Sequence, residues 1–158
     1  MAELKLSEYG FAFIDIDIKP RYQSTMKAVT YKIDTGANCT TISHKQLLQL
    51  GFDHTWIKSG RALDGEESPT VASGNPVHDC YEVILPEIHI GDYVGYNWPF
   101  ITSLSDSFRF LLGTDTMLFF NWTFNYEHGL CTFSLIPGKR RLLFNSKEQS
   151  IHSLDELE

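Results

Sequence analysis

Ile14, Ile16 and Ile18 alternate with Asp15, Asp17 and Lys19 along the stretch from Phe11 to Lys19. A period of two puts the isoleucines on one face and the charges on the other, as in a strand with one side against a core. Pro20 to Thr25 supplies turn formers, and the apolar residues of Met26 to Ile33 return as a second strand, so this part of the chain predicts a β-hairpin. An Asp-x-Asp pair is also a fragment of a cation site. No third ligand lies near Asp15 and Asp17 in sequence, however, and a solvated face accounts for both.

After Ser43 the pattern changes. His44 to Leu50 is a run of helix formers closed by Gly51, which predicts a short helix with a serine cap and a glycine stop, bracing the loop before it. From Gly60 to Ile90, turn signals at Asp64-Gly65 and Ser73-Gly74-Asn75-Pro76 separate short extended stretches, as in successive hairpins. Tyr81 to Leu85, Glu87 to Ile90 and Trp98 to Thr102 read as strands, with Gly91-Asp92 ending the second. A polar loop, Ser103 to Ser107, leads to the apolar run Phe108 to Leu112, which Gly113 breaks. Thr114 to Phe120 predicts a short helix; Thr123 to Tyr126 and Leu130 to Ile136 predict strands joined at Glu127-His128-Gly129. Beyond Pro137 the basic, then Ser, Gln and acidic residues predict a mobile or marginally helical tail over 138–158, appended to one domain over 1–137.

Composition points to an all-β domain. A chain of 158 residues fits one core rather than two complete lobes. Aromatic residues at 13%, with 11 Gly and 6 Pro, suit a sheet-rich domain with many turns better than a helical bundle. A net charge of −7 leaves no broad basic field for nucleic acid or an anionic membrane. The basic cluster Lys139-Arg140-Arg141 follows Pro137-Gly138 and reads as a solvated turn. No apolar run reaches the ~20 residues of a spanning helix, and Met1-Ala2-Glu3-Leu4-Lys5 lacks the regions of a signal peptide, so a cytoplasmic protein is expected. Cys39, Cys80 and Cys131 are too few and too scattered for a disulfide framework or a CxxC motif and are expected as buried thiols. Asn38-Cys39-Thr40 and Asn121-Trp122-Thr123 match the glycosylation sequon, but both read as accidents of composition.

Candidate chemistry centres on Asp34-Thr35-Gly36-Ala37, at the end of the second strand. A carboxylate carried out on a strand and turned by a Thr-Gly pair is presented without bulky side chains over it. Alone, this is an ordinary Asx-type turn, and Leu111-Leu112-Gly113 alone is a buried strand with its terminator. Only the two in combination argue for a site. An actin-like or sugar-kinase phosphate loop would need a second Asp-x-Gly segment and a second domain, which the length does not accommodate. The six histidines, His44, His54, His78, His89, His128 and His152, show no HExxH or comparable spacing, and no motif marks a histidine that would activate Cys39. Neither a metal nor a cofactor is expected.

Ile33-Asp34-Thr35-Gly36-Ala37, then Thr40 and Ile42-Ser43, then Leu111-Leu112-Gly113-Thr114-Asp115 with Leu118, then Phe124-Asn125-Tyr126, resembles the retroviral-type aspartic peptidases, especially their cellular single-domain relatives. The resemblance covers residues 8–137. It implies a closed, mostly antiparallel acid-protease-like β barrel with short helices, functional as a C2 homodimer, in which Leu111, Leu112 and Gly113 thread beneath the catalytic turn. It implies an aspartic endopeptidase acting on protein or peptide substrates, with Asp34 from each chain as the catalytic acid and base, Thr35 bonding across the pair and Gly36 admitting the substrate. Ala37 would line the cleft, and a β-hairpin flap would cover it, with Ala62, Leu63, Asp64 and Gly65 as the tip; Ser73-Gly74-Asn75 is the alternative. Viral members carry an acidic residue after the first motif and an arginine after the apolar-apolar-Gly segment, where this chain has Asn38 and Thr114. That departure keeps open a second reading, a noncatalytic dimeric peptide-binding module that retains the fold.

Overall fold

The structure, a computed structural model, describes residues 2–64, 69 and 76–137. The proposed tail over 138–158, Gly65, and the alternative turn residues Ser73, Gly74 and Asn75 lie outside the described residues. In chain order the described elements are β1 (Ala2–Lys5), β2 (Phe13–Ile18), β3 (Lys27–Ile33), α1 (His44–Gln49), α2 (His54–Lys58), β4 (Arg61–Leu63), β5 (Cys80–Ile90), β6 (Tyr93–Ser103), β7 (Leu111–Leu112), α3 (Thr114–Met117), β8 (Phe120–Asn125) and β9 (Leu130–Leu135). The chain is mostly β with a few short helices. None of the helices among the described residues is long and apolar enough to cross a membrane.

β2 and β3 form the expected antiparallel hairpin, with Ile16 opposite Val29 and Ile14 opposite Tyr31. The isoleucine face of β2 is buried, as its period of two requires. β5 is the longest shared element. One edge pairs with β6 along its whole length, and the other is divided between β4 near its start and β2 near its end. Pro86 does not split it into two strands as the sequence pattern implied. The register runs unbroken from Leu85↔Trp98 to Glu87↔Tyr96, and the irregularity is taken up across from Pro86 by Asn97, whose φ is +55°. The β5–β6 turn closes in two residues at Gly91-Asp92. Gly91 has φ +59°, and a Cβ there would press on the Phe133 ring at 3.0 Å, so the turn needs glycine on both counts.

Two sheets result. One is six-stranded, in the order β4-β5-β2-β3-β7 with β6 on β5; the other is three-stranded, β1-β9-β8. Their inner faces share one core that includes Tyr31, Phe100, Phe133, Ile16, Ile18 and Leu85, each worth roughly 1.5–3 kcal/mol against exposure. The expected closed barrel is not formed as a continuous ladder. Instead, residues 40–42 sit between β6 and β7: Ile101 N–H donates to the Thr40 carbonyl at 2.9 Å, Ile42 N–H to the Ile101 carbonyl at 3.0 Å, and Thr41 N–H to the Leu111 carbonyl at 3.1 Å. This segment leaves one loop and enters the α1 cap almost at once, so it is extended too briefly to build more than an isolated bridge.

Ser43 caps α1 as expected, its hydroxyl accepting from Gln46 N–H at 3.1 Å. α2 and β1 did not emerge from the sequence pattern. α2 is only five residues long, started by Asp53, whose carboxylate accepts from Trp56 N–H at 2.8 Å. β1 is four residues that pair with β9, too short a stretch for alternation to register.

Tyr31, next to the end of β3, is completely buried against Phe100 and Phe110, and burial pushes its phenol well above the usual range. Its hydroxyl has no hydrogen-bond partner among the described residues. Removing that oxygen should therefore stabilise the fold by about 1 kcal/mol. In urea denaturation Tyr31→Phe is expected to unfold at a higher midpoint than wild type; a lower midpoint would show that the hydroxyl has a stabilising partner.

Candidate active site

Asp34 follows the last residue of β3, and its position is set by a parallel pairing in an otherwise antiparallel sheet: Lys32 lies opposite Leu111 and Ile33 opposite Leu112. Asp34 N–H extends that pairing by donating to the Leu112 carbonyl at 3.0 Å. The chain then turns. Ala37 N–H donates to the Asp34 carbonyl at 3.1 Å, and Gly36 N–H donates to Asp34 Oδ1 at 2.9 Å. The carboxylate is thus oriented by its own turn. Asp34 is half-buried, while Thr35 and Gly36 are exposed beside it.

Beyond the turn, residues 37–41 cross residues 111–116 in close contact. Thr114 N–H donates to the Ala37 carbonyl at 2.9 Å. A Cβ on Gly113 would overlap the Cys39 backbone, including its nitrogen at 2.8 Å, so only glycine allows the approach. Thr40, 0% exposed, anchors the crossing. Its N–H and hydroxyl donate to the two carboxylate oxygens of Asp115 at 3.0 and 2.7 Å. Having given its proton to Asp115, the hydroxyl oxygen accepts from Gly113 N–H at 3.1 Å and pairs with the Thr116 hydroxyl at 2.8 Å, which must then be the donor. Thr116 in turn accepts from Trp98 Nε1 at 3.2 Å. Donors thus run in one direction, from Trp98 through Thr116 and Thr40 to the Asp115 carboxylate.

Of the residues expected at the site, Asp34, Thr35, Gly36 and Ala37 come together on this turn. Of the expected flap residues, Ala62 and Leu63 belong to β4, and Leu63 pairs with Cys80 at the base of the β4–β5 hairpin. Gly65 and the alternative Ser73-Gly74-Asn75 lie outside the described residues. Ala62 and Asp64 are exposed, whereas Leu63 is buried with Val77, Cys80 and Ile101 in a small cluster that Cys39 also packs against. The base of this hairpin therefore rests on the loop that carries Asp34.

The anchoring role of Thr40, Asp115, Thr116 and Trp98 was not legible beforehand. Thr40 and Asp115 both fall within the two motifs, and the signal was a pair of small polar residues placed in apolar surroundings. Asn38 is exposed, and Thr114 meets the loop through its backbone, a neutral contact. Burial, with the nearby Asp115 and Cys80 adding to it, pushes the Cys39 thiol up to about 11, so it is protonated at neutral pH and unsuited to attack. Among the described residues no three His, Cys, Asp or Glu side chains converge as a metal site would require.

No protein-family model matches the chain, and no curated protein matches it. Among solved structures it is similar to a retropepsin-like aspartic protease from Rickettsia conorii, with 19% identity and a TM-score of 0.56 over 82% of this chain and 87% of that one. At that identity the likeness shows a shared fold.

Thr40→Val keeps the shape of the side chain and deletes the hydroxyl, leaving Gly113 N–H and the Thr116 hydroxyl without their acceptor. The expected cost is about 2–3 kcal/mol. Urea unfolding of the purified variant measures it, and a loss below about 0.5 kcal/mol would mean that the crossing is held by other contacts.

Proposed function

We propose that the chain is an aspartic endopeptidase working as a C2 homodimer, each subunit supplying one Asp34 to a shared site. The observation that carries this is the Asp34 turn: a half-buried carboxylate oriented by Gly36 N–H and seated on Leu112. It occurs on a fold shared with a retropepsin-like aspartic protease. One carboxylate per chain is half of the acid–base pair that peptide hydrolysis needs, and a two-fold axis supplies the other half.

In this reading two carboxyl groups about 3 Å apart cannot both ionise cheaply and so hold one proton between them. The ionised partner takes a proton from a water lying between the two, and that water attacks the peptide carbonyl. The protonated partner donates to the developing oxyanion, and a proton then passes to the leaving amine. Bond cleavage requires no covalent enzyme intermediate. Thr35 is assigned to hydrogen bonding across the two-fold, Gly36 to close approach of the substrate, and Ala37 to the cleft wall. Ala62, Leu63, Asp64 and Gly65 are assigned to a flap over the cleft, with Ser73-Gly74-Asn75 as the alternative. An extended peptide would be held as an added strand, its main chain bonded to the site and its side chains in alternating pockets.

Incubating wild type and Asp34→Asn with a diverse peptide library, from mildly acidic to neutral pH, tests the reading by mass spectrometry. Wild type is expected to cut internal peptide bonds and Asp34→Asn to lose at least about 1,000-fold in rate while keeping its circular dichroism. Equal cleavage by both proteins would refute it.

A further inference from the structure

A lysine on the outer face of a strand normally carries its ammonium out into water, and every other described lysine is exposed. Lys32 is the exception. It is half-buried, and its ammonium lies 4.0 Å from the centre of the Phe11 ring. No carboxylate among the described residues pairs with it. Asp15, farther along the same face, is engaged by the Thr30 hydroxyl, which donates to it at 2.6 Å.

The β2–β3 register sets what Lys32 stands beside. Phe13 lies opposite Lys32, and Ile33 N–H donates to the Ala12 carbonyl at 3.0 Å. The same register carried one place further sets Phe11 opposite Asp34. By the period of two, Phe11 and Phe13 on one strand, with Lys32 and Asp34 on the other, share the face turned away from the core. Phe11 and Phe13 are 46% and 44% exposed. An ammonium and open aromatic surface therefore adjoin the Asp34 carboxylate.

We infer that Lys32 is a specificity-determining residue that selects peptides with an acidic side chain beside the bond to be cut. The inference deepens the proposed function and rests on it for the presence of an extended peptide at Asp34. Such a peptide, lying along this face, puts the side chain next to its scissile bond over Phe11 and Lys32. A carboxylate there supplies the counter-ion in a charge-assisted hydrogen bond, with its methylene stem against the ring. Phe11 contributes by holding the lysine, which has then already lost much of the rotamer freedom that an ion pair otherwise costs. Lys32 also acts by exclusion. A cationic side chain meets like charge, and without Lys32 an acidic one would face ionised Asp34 unscreened. In a two-fold dimer the second chain supplies the same ammonium across the axis, so an acidic residue is favoured on either side of the bond.

Peptides identical except for Glu, Gln or Lys beside the cut bond, chosen from the cleavage sites of a random peptide library, test this. The readout is the ratio of kcat/KM values within one protein, which does not depend on how much of it is folded. Wild type should prefer Glu to Gln at least about tenfold, with Lys poorest. Lys32→Met should reverse the first ranking, and Lys32→Glu should make Lys the best of the three. Equal cutting of the Glu and Gln peptides by wild type, or a wild-type ratio kept by Lys32→Met, would overturn the inference and spare the peptidase. A second readout needs no turnover. Immobilised Asp34→Asn protein should retain acidic peptides from the same library, and the double variant Asp34→Asn, Lys32→Met should not. Lys32-dependent retention without any cleavage by wild type would sink the peptidase and keep the acidic subsite. Equal retention by the two variants would overturn the subsite.

Discussion

The crossing of residues 37–41 over residues 111–116 is the constraint on which the rest of the molecule depends. Two extended segments lie there with backbone almost against backbone, which Gly113 permits and Thr40 and Asp115 secure. It decides where β3 ends, because Ile33 and Asp34 are paired to Leu112. It decides how the sheet nearly closes, because residues 40–42 must reach Ile101 of β6 directly after passing Gly113. A chain of donors from Trp98 to a carboxylate is stronger than its separate links, since each hydroxyl that donates becomes a better acceptor. The loop that bears Asp34 is therefore held from below by the fold, with Thr35 and Gly36 exposed at its turn.

In the proposed function that arrangement is half of a chemical device. A single carboxylate on a rigid turn can orient a water, but it cannot act as acid and base in one step. The sequence has no second Asp-Thr-Gly, so the proposed function takes the complement from another copy. Rigidity matters for that purpose, since acid–base chemistry between two side chains on different subunits tolerates little positional error. The crossing supplies rigidity within one chain, and in the proposed dimer the contact between the two copies supplies it between them. Lys32, on the same face of β3 as Asp34 by the period of two, lies with its ammonium 4.0 Å above the Phe11 ring and adds a cation–π contact at the margin of the turn.

Much of this was legible in the sequence where a short-range rule applied. The Ile14-Ile16-Ile18 alternation, the Ser43 cap and the Gly91-Asp92 turn each state a local preference, and the structure honours them. The Asp34 and Leu111-Leu112-Gly113 motifs were read in combination, and the structure pairs them directly. What was hidden depends on contacts distant in sequence. β1 exists only because β9 is there to pair with it, and Pro86 passes unbroken because β6 continues the register on its far side. The partner of Leu63 was hidden for the same reason, since it is chosen by the whole of β5. Thr40 and Asp115 looked like ordinary polar residues until the fold brought them together across the crossing.

The central claim is that two such turns, one from each chain, make one site. It is tested most directly by adding increasing amounts of Asp34→Asn protein to a fixed amount of wild type and following peptide cleavage. If the site is shared, mixed dimers hold one carboxylate and are inactive, so the rate falls toward zero as the variant captures the wild-type chains. A rate that stays constant under a large excess of the variant would show that each chain acts alone.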